Sequence, residues 1–248
     1  RPLSRGLGDV YKRQITNRKM MLFDLDGTLV DTAPDFRNSV NHMLEHYNEP
    51  PVTLEEIRDW VGYGGRELIK RTMLAKKIAF DDAKLDTMLE LFLSHYTKNI
   101  DDDSKLYNNV KETLVFLKDN NIKLSVCTNK DETLSRTLLE KLDVLHLFDY
   151  LAGAHTFEKR KPHPMPILKT LEYLNMNKDE AVMIGDSITD LKSAQGAEIP
   201  IVLVDYGYTD NKDIYNEADL VISNFSNLKP LIRSCLLYTS PSPRDNGR

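Results

Sequence analysis

Short apolar runs alternate with amphipathic stretches through most of the chain. Five apolar runs have the length of buried strands, and most of them stop at polar or glycine residues: 20–23, 122–127, 181–184, 199–204 and 220–222. Four stretches with helical periodicity lie between the later runs: 110–120, 134–142, 164–174 and 188–195. Because strands that alternate with helices are typical of βαβ units, the pattern predicts an α/β fold with a Rossmann-like parallel sheet sandwiched by helices.

Residues 35–105 follow a different pattern. Apolar residues recur at i, i+3 and i+4, as at Val40, Met43 and Leu44, and no apolar run in this segment predicts a strand. We therefore interpret 35–105 as an inserted α-helical cap domain. The α/β core then consists of residues 15–34 and 106–234.

The two ends of the chain differ from the rest. Residues 4–14 read SRGLGDVYKRQ and residues 235–245 read CLLYTSPSPRD. One oligonucleotide, read on opposite strands, encodes both stretches, and it resembles the adapter of transposon-based sequencing libraries. We therefore expect residues 1–14 and 235–248 to be translated adapter and exclude them from the fold. The alternative is that both ends are genuine disordered tails.

The composition of the chain and the distribution of its charged residues limit the classes of protein to which it can belong. Hydrophobic residues make up 41% of the chain and charged residues 29%, which is typical of a globular protein in water. No apolar run is long enough to span a membrane, and no basic stripe with interleaved aromatics indicates nucleic-acid binding. Two cysteines are too few for a disulfide framework, so a reducing, cytoplasmic setting is expected. The expected assembly is a monomer or homodimer.

Two acidic residues follow the first predicted strand, in the segment Asp24-Leu-Asp-Gly. In such a pair one carboxylate can attack phosphorus while the other, Asp26, exchanges a proton with the leaving oxygen and then with water. Gly27 permits a tight turn, and Thr28 offers a hydroxyl and an N–H group to a phosphate. The alternative is an ordinary Asp-Gly surface turn.

Further polar residues follow the later strands. Ligands of open parallel sheets bind at the carboxyl ends of the strands, so Thr128 and Asp186 are expected to converge on Asp24. Lys161 can offset the charge of a phosphate, and Asp190 can bind water or orient Lys161. The alternatives are a simple strand-end threonine, a solvated basic cluster around Lys161, and an N-cap role for Asp186.

Taken together these segments resemble the haloacid dehalogenase superfamily of phosphotransferases. Its four motifs are matched in order by Asp24-Leu-Asp-Gly-Thr-Leu, Thr128, Lys161 and Gly185-Asp-Ser-Ile-Thr-Asp. The resemblance implies a Mg²⁺ cofactor and a small phosphorylated metabolite as substrate. It also implies that the enzyme passes through an aspartyl-phosphate intermediate.

The resemblance also assigns roles to individual residues. Asp24 would be the nucleophile and a metal ligand, and Asp26 the general acid/base, which also gives its backbone carbonyl to the metal. Thr128 and Lys161 would bind the phosphoryl group. Asp186 would complete the metal site, with Asp190 as a further expected ligand.

Within that superfamily the sequence is most similar to the bacterial phosphoglycolate phosphatases, which implies 2-phosphoglycolate as substrate. Asn129, in the segment Thr128-Asn-Lys, is then expected to contact the substrate. Arg66 follows a glycine-rich stretch and can pair with a substrate carboxylate, or it can simply lie at an exposed helix start. The rival functions are a phosphatase for another metabolite, a pyrophosphatase, a phosphoglucomutase and a non-catalytic binding protein of the same fold.

Overall fold

The computed structural model describes residues 15–16, 18–209 and 211–236. In chain order its strands are β1 (Met20–Phe23), β2 (Val30–Asp31), β3 (Lys105–Leu106), β4 (Lys123–Cys127), β5 (Tyr150–Ala152), β6 (Ala181–Gly185), β7 (Ile201–Val204) and β8 (Leu220–Ile222). Its α-helices are α1 (Ala33–His46), α2 (Leu54–Trp60), α3 (Gly65–Ala75), α4 (Asp82–Lys98), α5 (Val110–Asp119), α6 (Glu132–Lys141), α7 (Met165–Tyr173), α8 (Ile188–Ala197) and α9 (Lys229–Leu236).

A six-stranded parallel sheet forms the centre of the fold, with the strand order β5-β4-β1-β6-β7-β8. The central strand β1 pairs with β4 on one side and β6 on the other. Its residues alternate between the two faces: Met20 and Leu22 pack in one apolar cluster, Met21 and Phe23 in the other. A strand buried on both faces has to be apolar throughout, which explains why β1 reads MMLF.

Helices cover both faces of the sheet. Apolar residues of α5 and α6 pack with Met21 and Phe23, whereas apolar residues of α7 and α8 pack with Met20 and Leu22. No helix in the part of the chain that the structure describes has the length and apolar content that a membrane span needs.

The insert after β1 is helical, as its pattern predicts. It comprises α1 to α4, and α1 packs against both α2 and α4. The helix α2 begins at a capping box in which Thr53 accepts from the N–H of Glu56 and the Glu56 carboxylate accepts from the N–H of Thr53. The short strands β2 and β3 pair antiparallel, so the two chain segments that join insert and core lie side by side.

The predicted fold class is confirmed, and the elements differ from the predicted ones in detail. The strand predicted over 199–204 begins only at Ile201, because Glu198 ends α8 in the left-handed region. The edge strand β5 was not predicted, since three residues are too few to show a period. The domain boundaries at 35 and 105 stay a prediction, and α1 already begins at Ala33. The expected adapter segments 1–14 and 237–248 lie outside the described residues, while 235–236 belong to α9.

Candidate active site

The loop after β1 places two carboxylates at the centre of the sheet's carboxyl edge. Asp24 and Asp26 are both buried, with exposed fractions of 4% and 8%. The N–H of Asp24 still donates to Ile184 in β6, and the Asp24 carboxylate accepts from the N–H of Leu25 at 2.7 Å. Gly27 has a φ of +89°, which a residue with a side chain rarely adopts. Burial of both aspartates excludes the alternative of an ordinary surface turn.

Lys161 bridges two carboxylates in the interior. Its ammonium lies 2.9 Å from Asp24 Oδ1 and 2.6 Å from Asp190 Oδ1. The lysine is 2% exposed, so it does not belong to a solvated basic cluster. Burial by itself lowers the pKa of Lys161, but the carboxylates of Asp190 and Asp24 outweigh burial and raise that pKa above its ordinary value.

Asp186 follows β6 and faces Asp24. Its Oδ1 accepts from the Thr28 hydroxyl at 3.0 Å, and its Oδ2 accepts from the N–H of Tyr208 at 2.7 Å. The backbone of Gly207 passes so close to Asp186 that a Cβ added at Gly207 would lie 2.3 Å from the Asp186 Cβ. Asp186 is not the N-cap of α8, because that position belongs to Ser187.

Three buried carboxylates thus share one small region. Ligand oxygens of Asp24, Asp186 and Asp190 all lie within 4.8 Å of one another. Burial, and then the neighbouring Asp190, raises the pKa of Asp24 to about 7. Burial, and then Asp190 and Asp24, raises the pKa of Asp186 well above its ordinary value.

This donor set fits a divalent cation. Carboxylate oxygens are the hard ligands that such ions prefer, and a cation would offset the mutual repulsion that raises these pKa values. Asp190 is the least available ligand, because its Oδ1 accepts from Lys161 and its Oδ2 accepts from the N–H groups of Asp186 and Ser187 and the Ser187 hydroxyl. The geometry favours Asp190 as the residue that orients Lys161, while its expected role as a ligand stays a prediction.

Asp26 has a separate set of partners. Its Oδ1 accepts from the Thr32 hydroxyl at 2.8 Å and lies 3.2 Å from the ammonium of Lys130. Lys130 is 7% exposed, and burial lowers its pKa although Asp26 acts in the opposite direction. The sequence did not single out Lys130 as a site residue, since a lysine that follows a strand is usually solvated.

Thr128 and Asn129 follow β4 and are buried. The Thr128 hydroxyl accepts from the N–H of Lys130 at 3.1 Å. The Asn129 side-chain amide donates to the carbonyls of Gly62 in the cap and Lys161 in the core, at 3.0 and 2.9 Å. Within the described residues the Asn129 Oδ1 is buried without a hydrogen bond. The structure thus places Asn129 between cap and core beside the predicted phosphoryl site.

A cavity of about 590 Å³ opens between these residues and the cap. Asp24, Asp26, Thr128, Asn129 and Lys130 line its core side, whereas residues of the 61–66 segment and of α4 line its cap side. Most of the cavity's wall is apolar, which is usual for a small-molecule pocket.

Two arginines also line the cavity. Arg66 forms ion pairs with Asp82, at 2.9 Å, and with Asp86, so its charge is already shared with two acidic residues of α4. Arg160 is exposed, and the structure shows no ion pair for its guanidinium among the described residues. An added Cβ at Gly64 would lie 3.1 Å from an Nη atom of Arg160, so this arginine reaches the glycine-rich cap loop. Its position directly before Lys161 is the one sequence signal that could have identified it.

Comparison with known proteins agrees with this geometry. The family model for haloacid dehalogenase-like hydrolases matches residues 21–204. A phosphoglycolate phosphatase of Mesorhizobium japonicum is 41% identical over 212 residues, which cover 86% of this chain and 93% of that protein. A phosphoglycolate phosphatase of Agrobacterium fabrum is 38% identical over 213 residues, covering 86% and 91%.

A solved structure shows the same architecture. The crystal structure of a predicted phosphoglycolate phosphatase from Haemophilus somnus superposes with a TM-score of 0.83 at 29% identity. The match covers 87% of this chain and 98% of that one. The resemblance inferred from the four motifs is therefore confirmed.

Proposed function

The chain belongs to the haloacid dehalogenase-like hydrolases, and on that basis we propose that it is a Mg²⁺-dependent phosphatase that hydrolyses 2-phosphoglycolate through an aspartyl-phosphate. One observation supports this proposal above the others. Asp24 lies buried at the end of β1 with Lys161 at 2.9 Å and the carboxylates of Asp186 and Asp190 close by. A nucleophilic carboxylate, a cation for the phosphoryl charge and the acidic ligands of a metal ion thus share one site.

In the first step the Asp24 carboxylate attacks phosphorus, and a new oxygen–phosphorus bond forms as the bond to the substrate alcohol breaks. Asp26 gives its proton to the departing alkoxide oxygen, which leaves as the hydroxyl of glycolate. Lys161 and Thr128 hold the phosphoryl oxygens beside Asp24.

In the second step Asp26, now ionised, takes a proton from water. The water oxygen attacks phosphorus and releases inorganic phosphate together with the Asp24 carboxylate. Asp24 and Asp186, with the backbone carbonyl of Asp26, would hold Mg²⁺, which when bound neutralises charge on the phosphate oxygens. Cap closure over the cavity would exclude bulk water during the transfer.

The substrate assignment rests on the named relatives and on the arginines of the cavity. Arg160, with Arg66 as the residue expected from the sequence, can pair with the carboxylate that distinguishes 2-phosphoglycolate from a sugar phosphate. The cavity is larger than a two-carbon ester requires, so its volume alone does not select this substrate. A cytoplasmic location and a monomeric or homodimeric state stay predictions.

Phosphate release tests the proposal directly. Purified protein would be given 2-phosphoglycolate, hexose phosphates and pyrophosphate in parallel, each with Mg²⁺ or with EDTA. We expect Mg²⁺-dependent release that is fastest from 2-phosphoglycolate and absent in Asp24→Asn. Equal activity of Asp24→Asn and wild type would refute the mechanism, while faster release from another ester or pyrophosphate would refute only the substrate.

A further inference from the structure

Lys130 connects the predicted general acid to the cap. It lies in the loop after β4, and its ammonium lies 3.2 Å from Asp26 Oδ1 and donates to the Tyr96 hydroxyl at 2.6 Å. The ammonium also lies 4.2 Å from the ring centre of Phe36 and 4.5 Å from that of Tyr96. Because Phe36 belongs to α1 and Tyr96 to α4, one core lysine contacts a catalytic carboxylate and two cap helices.

The two buried lysines of the site serve different carboxylates. Lys161 contacts Asp24 and Asp190, whereas Lys130 contacts Asp26. Removing a lysine ammonium from water is costly unless the ammonium is paired. The Lys130 ammonium therefore has to stay beside its partners Asp26 and Tyr96, and these contacts fix its position. The stacked rings of Phe36 and Tyr96, 4.8 Å apart, fix the cap side of that environment.

The hydrogen bonds of Asp26 are unequally divided between its two oxygens. Thr32 and Lys130 both contact Oδ1. Oδ1 is thereby anchored, and Oδ2 receives neither of these two contacts. A carboxyl group held in this way presents Oδ2 as the oxygen that exchanges a proton, and a general acid must be within hydrogen-bond reach of the atom that it protonates.

We propose that Lys130 is a positioning residue that acts through Asp26: it holds Oδ1 so that Oδ2 faces the leaving oxygen, and its contacts with Tyr96 and Phe36 make this orientation depend on the cap. The inference rests on the proposed function, since it requires Asp26 to be the general acid. It assigns a role to a residue outside the four motifs.

Two substrates with different leaving groups distinguish a positioning role of Lys130 from a purely structural one. 2-Phosphoglycolate releases an alkoxide that has to be protonated, whereas p-nitrophenyl phosphate releases a phenolate that departs without an acid. The value of kcat/KM reports the steps up to departure of this group. General acid catalysis contributes about 10²- to 10⁴-fold, so losing the position of the acid in Lys130→Met should lower kcat/KM for 2-phosphoglycolate by roughly 30-fold. For p-nitrophenyl phosphate we expect a loss of less than about threefold.

Three further variants complete the design. Lys130→Arg keeps the charge and should restore part of the lost activity on 2-phosphoglycolate. Tyr96→Phe keeps the ring but removes the hydroxyl, and should show the same substrate-dependent loss in weaker form. Lys123→Met is the matched control, because Lys123 lies at the opposite end of β4 and donates to the Leu174 carbonyl. It should leave both substrates unaffected.

The outcomes separate the two hypotheses. Urea unfolding gives the folded fraction of each variant, and kcat/KM is expressed per folded molecule. If Lys130→Met lowers kcat/KM equally for both substrates, or for neither, Lys130 does not act through Asp26 and the inference fails while the phosphatase stands. If wild type releases phosphate from neither substrate in Mg²⁺, the proposed function fails and the inference fails with it.

Discussion

Removing the proposed nucleophile should stabilise the metal-free protein at alkaline pH. The Asp24 carboxylate is buried close to those of Asp186 and Asp190. Asp24→Asn replaces it with a neutral group of the same shape. The asparagine Oδ1 can still accept the hydrogen bond of Lys161. The substitution therefore removes the burial cost and the repulsion of the charged form while keeping the packing.

The size of the effect follows from the pKa of Asp24. Burial, and then Asp190, raises this pKa from 3.8 to about 7 in the folded protein. A carboxyl whose folded pKa is raised favours the folded state at low pH, and this contribution is lost as the pH rises through the folded pKa. Since one pKa unit corresponds to about 1.4 kcal/mol, raising the pH from about 5.5 to about 8 should destabilise wild type by about 2 kcal/mol through Asp24 alone.

Urea unfolding in EDTA at these two pH values measures the effect. We expect the unfolding free energy of wild type to fall more between the two pH values than that of Asp24→Asn. Asp213→Asn, at an exposed site, is the control and should follow wild type. An equal pH dependence of wild type and Asp24→Asn would refute the electrostatic reasoning. In the presence of Mg²⁺ the wild-type loss should diminish, because the cation favours the ionised carboxylate.

Four other substitutions test separate parts of the site. Arg160→Met should raise KM for 2-phosphoglycolate roughly tenfold, because one charge-assisted contact is worth about 1.5–3 kcal/mol, and it should leave KM for p-nitrophenyl phosphate unchanged. Arg66→Met should raise KM for 2-phosphoglycolate less than Arg160→Met does. The reverse order would identify Arg66 as the carboxylate ligand. Gly207→Ala should weaken Mg²⁺ binding, measured by calorimetry, because its Cβ would displace Asp186; unchanged affinity would contradict the close approach. Tyr208→Phe should destabilise the protein by about 1–3 kcal/mol in urea, because two backbone N–H groups lose their acceptor, and no loss would show that water replaces it.

The sequence predicts the sheet and the convergence of the acidic residues because both follow from local patterns. A strand buried on both faces is an apolar run, and residues just after parallel strands meet at one edge. Asp24 and Asp186 lie together for this reason. Their catalytic and metal-binding roles stay predictions.

Other features depend on contacts that no local pattern encodes. The Lys130 ammonium is buried against Phe36 and Tyr96 of the cap, and nothing in the segment Thr128-Asn-Lys reveals that environment. The sequence leaves open whether Arg66 pairs with a substrate or lies at an exposed helix start, and in the structure Asp82 and Asp86 of α4 form ion pairs with it. Partners of this kind come from tertiary packing of distant segments.

The pairing of strands β2 and β3 also determines where the helical insert could be replaced. Asp31 and Lys105 are paired residues, so the helical insert leaves and re-enters the core at neighbouring points. A segment with adjacent ends can be exchanged for another of different length without moving the strands that it interrupts. A different insert could therefore be joined at these two positions, and we expect such a chimera to retain the parent sheet.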